Sequence, residues 1–211
     1  MENKQKAARD FVNAKIGYLL NSGREADVRA SLAKLRRGVG KPPGSLPDIW
    51  EYTVGNLTDV SKYNPEEPTF SEWAAHMAMT LFAAHQQGND PQKDPMSVSD
   101  RKYHLGSAVR ELVRILMAES GKTGEDAEKE AEKSIKRRFD AVVTSDSPEE
   151  LYHHLRGLVQ LLKGKNIPLD YPQLADDLQN FQNPERRDGV RLRWGRGYYH
   201  YNRKEGEDND R

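Results

Sequence analysis

A chain of 211 residues and 24.1 kDa is long enough for one domain with a real core or for two small ones. Its 33 basic and 33 acidic side chains cancel, so no bulk field draws it to DNA or to a lipid surface. The 36% hydrophobic content and mean hydropathy of −0.92 predict a thin core under a large polar surface. The absence of cysteine excludes disulfides, zinc knuckles, iron–sulfur clusters and thiol nucleophiles together.

Neither the stretch MENKQKAARDF nor any other window approaches the roughly 18 apolar residues of a spanning helix, so a soluble, cytoplasmic protein without a membrane partner is expected. In chain order, a first helix is expected near residues 5–20. Val28, Leu32, Leu35 and Val39 then recur at steps of four, three and four, which places them on one helical stripe. Gly38 and Gly40 stop that helix and Pro42-Pro43 forbid its continuation. A short helix is expected within 47–57. Thr69-Phe70-Ser71-Glu72 reads as a capping box opening the run WAAHMAMTLFAAHQQ, which Gly88 closes. The stretch from Gly88 to Ser99, GNDPQKDPMSVS, has two prolines and no apolar period, and is the candidate linker.

Beyond it, helices are expected at 104–119 and at 124–143, the latter on Ile135, Phe139 and Val142. Ser147-Pro148-Glu149-Glu150 combines a cap, a first-turn proline and a capping-box glutamate ahead of Leu151, Leu155, Leu158 and Leu162. Asp170 caps a helix carrying Leu174, Leu178 and Phe181, and Asn183-Pro184 starts a last one over Val190, Trp194 and Tyr198. No segment alternates as a strand would. The expected fold is all-α, about nine helices, in an N-terminal lobe (1–95), a C-terminal helical bundle (96–203) and a disordered tail (204–211).

Zero net charge conceals two basic islands. From Val28 to Pro47 there are five basic residues, Arg29, Lys34, Arg36, Arg37 and Lys41, and no acid. From Asn183 to Lys204 there are seven, including Arg186, Arg187, Arg191, Arg193 and Arg196, against Glu185 and Asp188. The remainder of the chain is therefore acidic, a pattern that suits a local footprint for a polyanion. The glycines of KLRRGVGKPPG do not form a nucleotide loop. A P-loop needs a glycine five positions before its Gly-Lys pair and a hydroxyl residue after the lysine, where this chain has Leu35 and Pro42, and it follows a strand rather than a helix. A helix stop explains the glycines and prolines, whereas the charges fall off the apolar stripe and face outward.

No local signature of catalysis appears. His153 and His154 are adjacent and point about 100° apart on a helix, unlike a metal-binding i,i+4 pair. His76 and His85 lack carboxylates at ligand spacing, and there is no nucleophile elbow. No cofactor, metal site or catalytic residue is predicted. In the C-terminal stretch the arginines flank the Val190/Trp194/Tyr198 stripe, where they can either cover apolar surface with their stems or bind phosphate through their planar forks.

Five motifs in one order, LAKLRRGVGKPPGSLPDIW, YHLGSAVREL, IKRRFDAVV, HHLRGLVQLLKGKNIPLDYPQLADDL and NPERRDGVRLRWGRGYY, resemble the small-subunit family (CasB) of the type I-E CRISPR Cascade complex over about residues 28–201. The resemblance implies an all-helical, non-catalytic protein that pairs head to tail with a second copy beside the backbone and large subunits. It also implies contact with target DNA held by guide RNA, and stabilisation of the R-loop through backbone phosphates. Carried over by motif, the family's basic positions match Arg36-Arg37, Arg137-Arg138, Arg156, and the cluster Arg186, Arg187, Arg191 and Arg193; Lys41 and Arg196, beside them in the two basic islands, complete the candidate nucleic-acid-binding residues. One departure lies in GRGYY, where Gly197 stands in place of an expected acid. The competing readings are a helical protein–protein adaptor whose basic islands meet acidic partners and, with little support, a hydrolase.

Overall fold

The apolar stripes fold as helices close to where the periodicity sets them. The computed structural model describes residues 7–21, 24–57, 64, 66–121 and 125–200; the tail expected to be disordered at 204–211 lies outside the described residues. Nine α-helices occur among them: α1 (Ala7–Asn21), α2 (Glu25–Arg36), α3 (Trp50–Thr53), α4 (Phe70–His85), α5 (Leu105–Glu119), α6 (Glu125–Thr144), α7 (Pro148–Lys163), α8 (Tyr171–Phe181) and α9 (Pro184–His200). Two 3-10 turns, Pro47–Ile49 and Arg101–Tyr103, precede α3 and α5. The fold is all-α. The strand-like feature among the described residues is an isolated parallel bridge between Ser97 and Leu169.

The centre of the molecule is α4. From Ala74 to His85 every residue is buried, including His76, Thr80 and His85, so the helix has no polar face. It packs against α1, α2, α3, α7 and α8; α9 lies on α5 and α8, and α6 on α5 and α7. One hydrophobic cluster runs from Ala8 in α1 to Tyr198 in α9.

Local chemistry sets the helix starts. Thr69 Oγ1 accepts from the Glu72 backbone N–H at 3.2 Å and Glu72 Oε2 accepts from that of Thr69 at 2.8 Å, a complete capping box. Ser147 Oγ accepts from the Glu150 N–H at 3.1 Å, but Glu150 reaches one residue further back than a capping box would, to the N–H of Asp146 at 2.9 Å. Asp170 Oδ1 caps α8 through the Gln173 N–H at 2.8 Å.

The 88–99 segment is held at its start by α4's last turn. Buried Gln86 donates from Nε2 to the Asp94 carbonyl at 3.1 Å and accepts at Oε1 from the Met96 N–H at 2.8 Å. Met96 is itself buried, and Leu169 closes the segment from the other side through its N–H to the Met96 carbonyl at 3.1 Å.

The crossing of α5 and α9 explains two glycines. A Cβ on Gly106 would stand 2.0 Å from the Trp194 carbonyl oxygen, and one on Gly197 would stand 3.0 Å from the Ser107 nitrogen. The helices touch backbone to backbone here. This accounts for glycine at 197, since an acidic side chain would need the room that Ser107 fills. Gly106→Ala should therefore lower stability by about 3 kcal/mol or more, the upper range for overpacking. Gly189→Ala, on the same α9 with open space around its Cα, should be neutral or stabilising by up to about 1 kcal/mol. Thermal unfolding of the two variants checks the contrast, and similar melting points would show that the helices can part at no cost.

Candidate nucleic-acid interface

The first basic island is placed by a turn that α4 and α7 hold from below. α2 ends at Arg36, and the chain reverses through Gly38 and Gly40, the latter at φ +78°, a left-handed conformation that favours glycine. Gly38 is required for a different reason: a Cβ there would sit 2.8 Å from Ile49 Cδ1 and 2.9 Å from Thr80 Cγ2. Its carbonyl accepts from His76 Nε2 at 3.2 Å and from the Tyr152 hydroxyl at 3.4 Å, and that hydroxyl also pairs with Thr80 Oγ1. Burial lowers the His76 pKa and pushes Tyr152 up to about 12, so both stay neutral and serve as hydrogen-bonding struts.

Those struts bring α7 to the island. Arg156, one turn beyond Tyr152, is exposed and close enough for its charge to act on the Tyr152 hydroxyl. Lys163, two turns further on, has its pKa lowered by partial burial and then by the charge of Arg36. Lys34, Lys41 and Arg156 are exposed and Arg36 half-buried, and none of the four forms an ion pair among the described residues. The island is less free than its sequence window predicts, because acids just outside that window reach in. Arg29 pairs with Glu25, and Arg37 pairs with Asp48. Both pairs are exposed, where such contacts contribute little and exchange readily.

The C-terminal island divides into two kinds of arginine. Val190, Trp194 and Tyr198 form the buried stripe, each 1% exposed. Trp194 stacks on Phe181 with ring centroids 5.3 Å apart, and Tyr198 stacks on Phe139 at 5.2 Å. Arg187 donates from Nε to the Phe181 carbonyl at 2.9 Å, and Arg191 from Nε to the Val143 carbonyl at 2.8 Å. Both guanidinium groups lie over the Phe181 ring, at 5.4 and 5.6 Å. These two arginines fasten α9 to its neighbours with stem and head alike. Arg193 pairs with Asp177 at 2.9 Å. Arg186 and Arg196 are exposed, Arg186 reaching only Asn180 Oδ1 at 3.1 Å, and on α6 Arg137 and Arg138 are exposed with no ion pair among the described residues.

Asp177 was not singled out by the sequence reading. It is 1% exposed and collects three donors, Trp194 Nε1 at 2.6 Å, Gln173 Nε2 at 2.9 Å and Arg193. Burial raises its pKa to about 6, against the opposing pull of Arg193 and the two hydrogen bonds. One signal was available: Asp177 lies three residues after Leu174 and four before Phe181, on the apolar face of α8 where a carboxylate needs buried partners. A cleft of about 750 Å³ beside it, with Arg9 and Arg101 in its wall, was missed because its residues are scattered along the chain. Among the described residues no three metal-ligating side chains converge, and His76 and His85 are core residues, burial lowering the His85 pKa to about 4.

Fold and surface together define an all-helical protein whose cationic patch is assembled from the end of α2 and the exposed side of α7. The chain belongs to the CRISPR-associated protein Cse2 family, whose model matches residues 31–199; this is the CasB small-subunit family of type I-E Cascade that the five motifs resemble. Among solved structures it is similar to CasB from Thermobifida fusca, 32% identical over 93% of this chain and 96% of that one with a TM-score of 0.58. It also shares its fold with M. ruber CasB, 23% identical over 90% and 93% of the two chains with a TM-score of 0.63. No curated protein sequence matches it.

Asp177 gives a signed pH dependence. Its folded pKa lies above the ordinary 3.8, so the folded state holds the proton more tightly. The stability this contributes is complete below about pH 3.8 and is lost as pH rises through about 6. Asp177→Asn keeps an acceptor for Trp194 and removes the titration. The difference in melting temperature between wild type and variant should therefore shift in the variant's favour from pH 4 to pH 7. A difference that stays flat across that range would show that Asp177 is ionised throughout.

Proposed function

We propose that this protein is a non-catalytic, nucleic-acid-binding small subunit of an RNA-guided DNA surveillance complex. In this reading it contacts backbone phosphates of the target and displaced strands and so stabilises the R-loop while the guide RNA reads sequence. The observation that carries it is that the turn after α2, flanked by half-buried Arg36 and exposed Lys41, is hydrogen-bonded through the Gly38 carbonyl to Tyr152 of α7, the helix that carries exposed Arg156, and that none of these three cations forms an ion pair among the described residues. Chain-neutral proteins gain from such a patch only locally, and phosphate contacts of this kind position a strand without reading bases. In this reading Arg138, Arg186 and Arg196, exposed on α6 and α9, supply further phosphate contacts, and Arg37 joins Arg36 on exchange of Asp48. Arg187 and Arg191 act in this reading mainly by holding α9 in place.

The partners follow from the same reading. A second copy of the chain, paired head to tail, and the backbone and large subunits would meet faces other than the cationic one. Leu192 and Tyr199, 53% and 63% exposed on α9, suit such a protein contact. The same two residues are what favours the adaptor reading, in which the basic patches meet acidic protein surfaces. In the assembled complex, Arg36→Glu with Arg156→Glu should shorten target-DNA retention and reduce the dependence of log affinity on log salt by about two units, one per lost phosphate contact. Mismatch discrimination should stay unchanged. Filter binding across a salt series, with circular dichroism as the folding control, reads both. Wild-type retention and slope in a folded double variant would transfer the assignment to the adaptor reading.

A further inference from the structure

The cleft beside Asp177 lies apart from the α2–α7 patch in sequence and is built differently. Four arginines from three separate elements open onto it: Arg9 from α1, Arg101 from the 3-10 turn before α5, and Arg193 and Arg196 from α9. Two are set from behind by buried groups. Arg9 donates from Nη1 to Gln173 Oε1 at 2.9 Å, and Arg193 is held at 2.9 Å by Asp177, while Gln173 Nε2 in turn donates to Asp177 at 2.9 Å. Gln173 is 7% exposed and Asp177 1%, so the platform beneath the cleft is rigid. The other two, Arg101 and Arg196, are exposed and form no ion pair among the described residues.

The acids facing the cleft do not cancel this charge. Asp100 and Asp170 both lie in its wall, and each is engaged locally, Asp100 accepting from the Lys102 N–H at 3.0 Å and Asp170 from the Gln173 N–H at 2.8 Å. His104 lies 3.7 Å from Asp170, yet its pKa is lowered, first by burial and then, against the pull of Asp170, by Arg193, Arg101 and Arg9. The four arginines outnumber Asp100, Asp170 and the Asp177 bound to Arg193 by one, so the cleft keeps a net positive charge. All four cations are arginine, whose forked N–H groups fit the tetrahedral oxygens of a phosphate in pairs, and about 750 Å³ is room for a phosphate with its sugars rather than for one carboxylate tip.

We infer that the cleft walled by Arg9, Arg101, Arg193 and Arg196 is a phosphate-binding site, taking a backbone phosphate of a nucleic-acid strand. The proposal rests on the nucleic-acid reading only for the source of the phosphate; a free polyphosphate offers the same chemistry. Arg9 and Arg193 form the fixed half of the site, and Arg101 and Arg196 close on the oxygens from the solvent side.

The test uses the full chain and two double variants, Arg101→Glu with Arg196→Glu, and Arg36→Glu with Arg156→Glu. Inorganic pyrophosphate, followed by calorimetry and phosphorus NMR, probes phosphate binding without a strand, the comparison of the two variants separating cleft from patch; a labelled single-stranded oligonucleotide, followed by anisotropy over a salt series, probes the strand. The cleft variant should lose at least tenfold in pyrophosphate affinity, several times more than the patch variant loses. Both should bind the oligonucleotide more weakly, with salt slopes reduced by about two units. Wild-type pyrophosphate affinity in a folded cleft variant overturns the site, as does a wild type that binds a glutamate-rich peptide but not pyrophosphate. Cleft-dependent pyrophosphate binding by a chain that ignores the oligonucleotide keeps the phosphate site, assigns it to a free polyphosphate and overturns the strand reading instead.

Discussion

The carboxylate of Asp177 ties the last two helices and the first into one body. A charged group with 1% exposure is tolerable only if its oxygens are occupied, and here an indole, an amide and a guanidinium occupy them. Trp194 brings α9, Gln173 brings the preceding turn of α8 and, through its own oxygen, Arg9 of α1. In a chain with only 36% hydrophobic residues, this polar node does positional work that a larger apolar core would do elsewhere. Removing any donor leaves the others facing an unbalanced charge, so the node is all or none.

A second node, smaller and neutral, governs the cationic patch. His76, Thr80 and Tyr152 meet under the carbonyl of Gly38, so the reversal after α2 is fixed to α4 and α7 before any phosphate arrives. Neutrality matters at this point. A protonated histidine beneath a cluster of lysines and arginines would add repulsion to desolvation, and burial removes that outcome by lowering the His76 pKa. The positive groups stay at the surface, and the interior that aims them carries no charge of its own.

Much of this was legible in the sequence because it is local. Steps of three and four placed Val28/Leu32/Leu35, Leu151/Leu155/Leu158/Leu162 and Val190/Trp194/Tyr198 on buried stripes, and the Thr69–Glu72 pair announced its own helix start. What a window cannot contain is a partner from elsewhere. The acid-free island looked fully charged because Glu25 and Asp48 lie just outside it, and the C-terminal arginines looked equivalent because the Phe181 ring and the Val143 carbonyl that hold two of them belong to other helices. The arginine cleft is the extreme case, with walls from α1, the 3-10 turn and α9 that share no stretch of chain. Gly197 is a milder one: the departure from the family pattern was visible, but its reason, the nitrogen of Ser107 at 3.0 Å, was not.

Gln86 turns the segment after α4 from a tether into a strut. By taking both the Asp94 carbonyl and the Met96 N–H, its amide does for this loop what a backbone ladder does for a hairpin. Surface connections usually absorb inserted or deleted residues at little cost. This one has its length dictated at both ends, by a buried amide and by Leu169 across from it. Among relatives, length changes in this region should therefore be confined to the exposed turn from Gln92 to Asp94, leaving the spacing from Met96 to Arg101 constant.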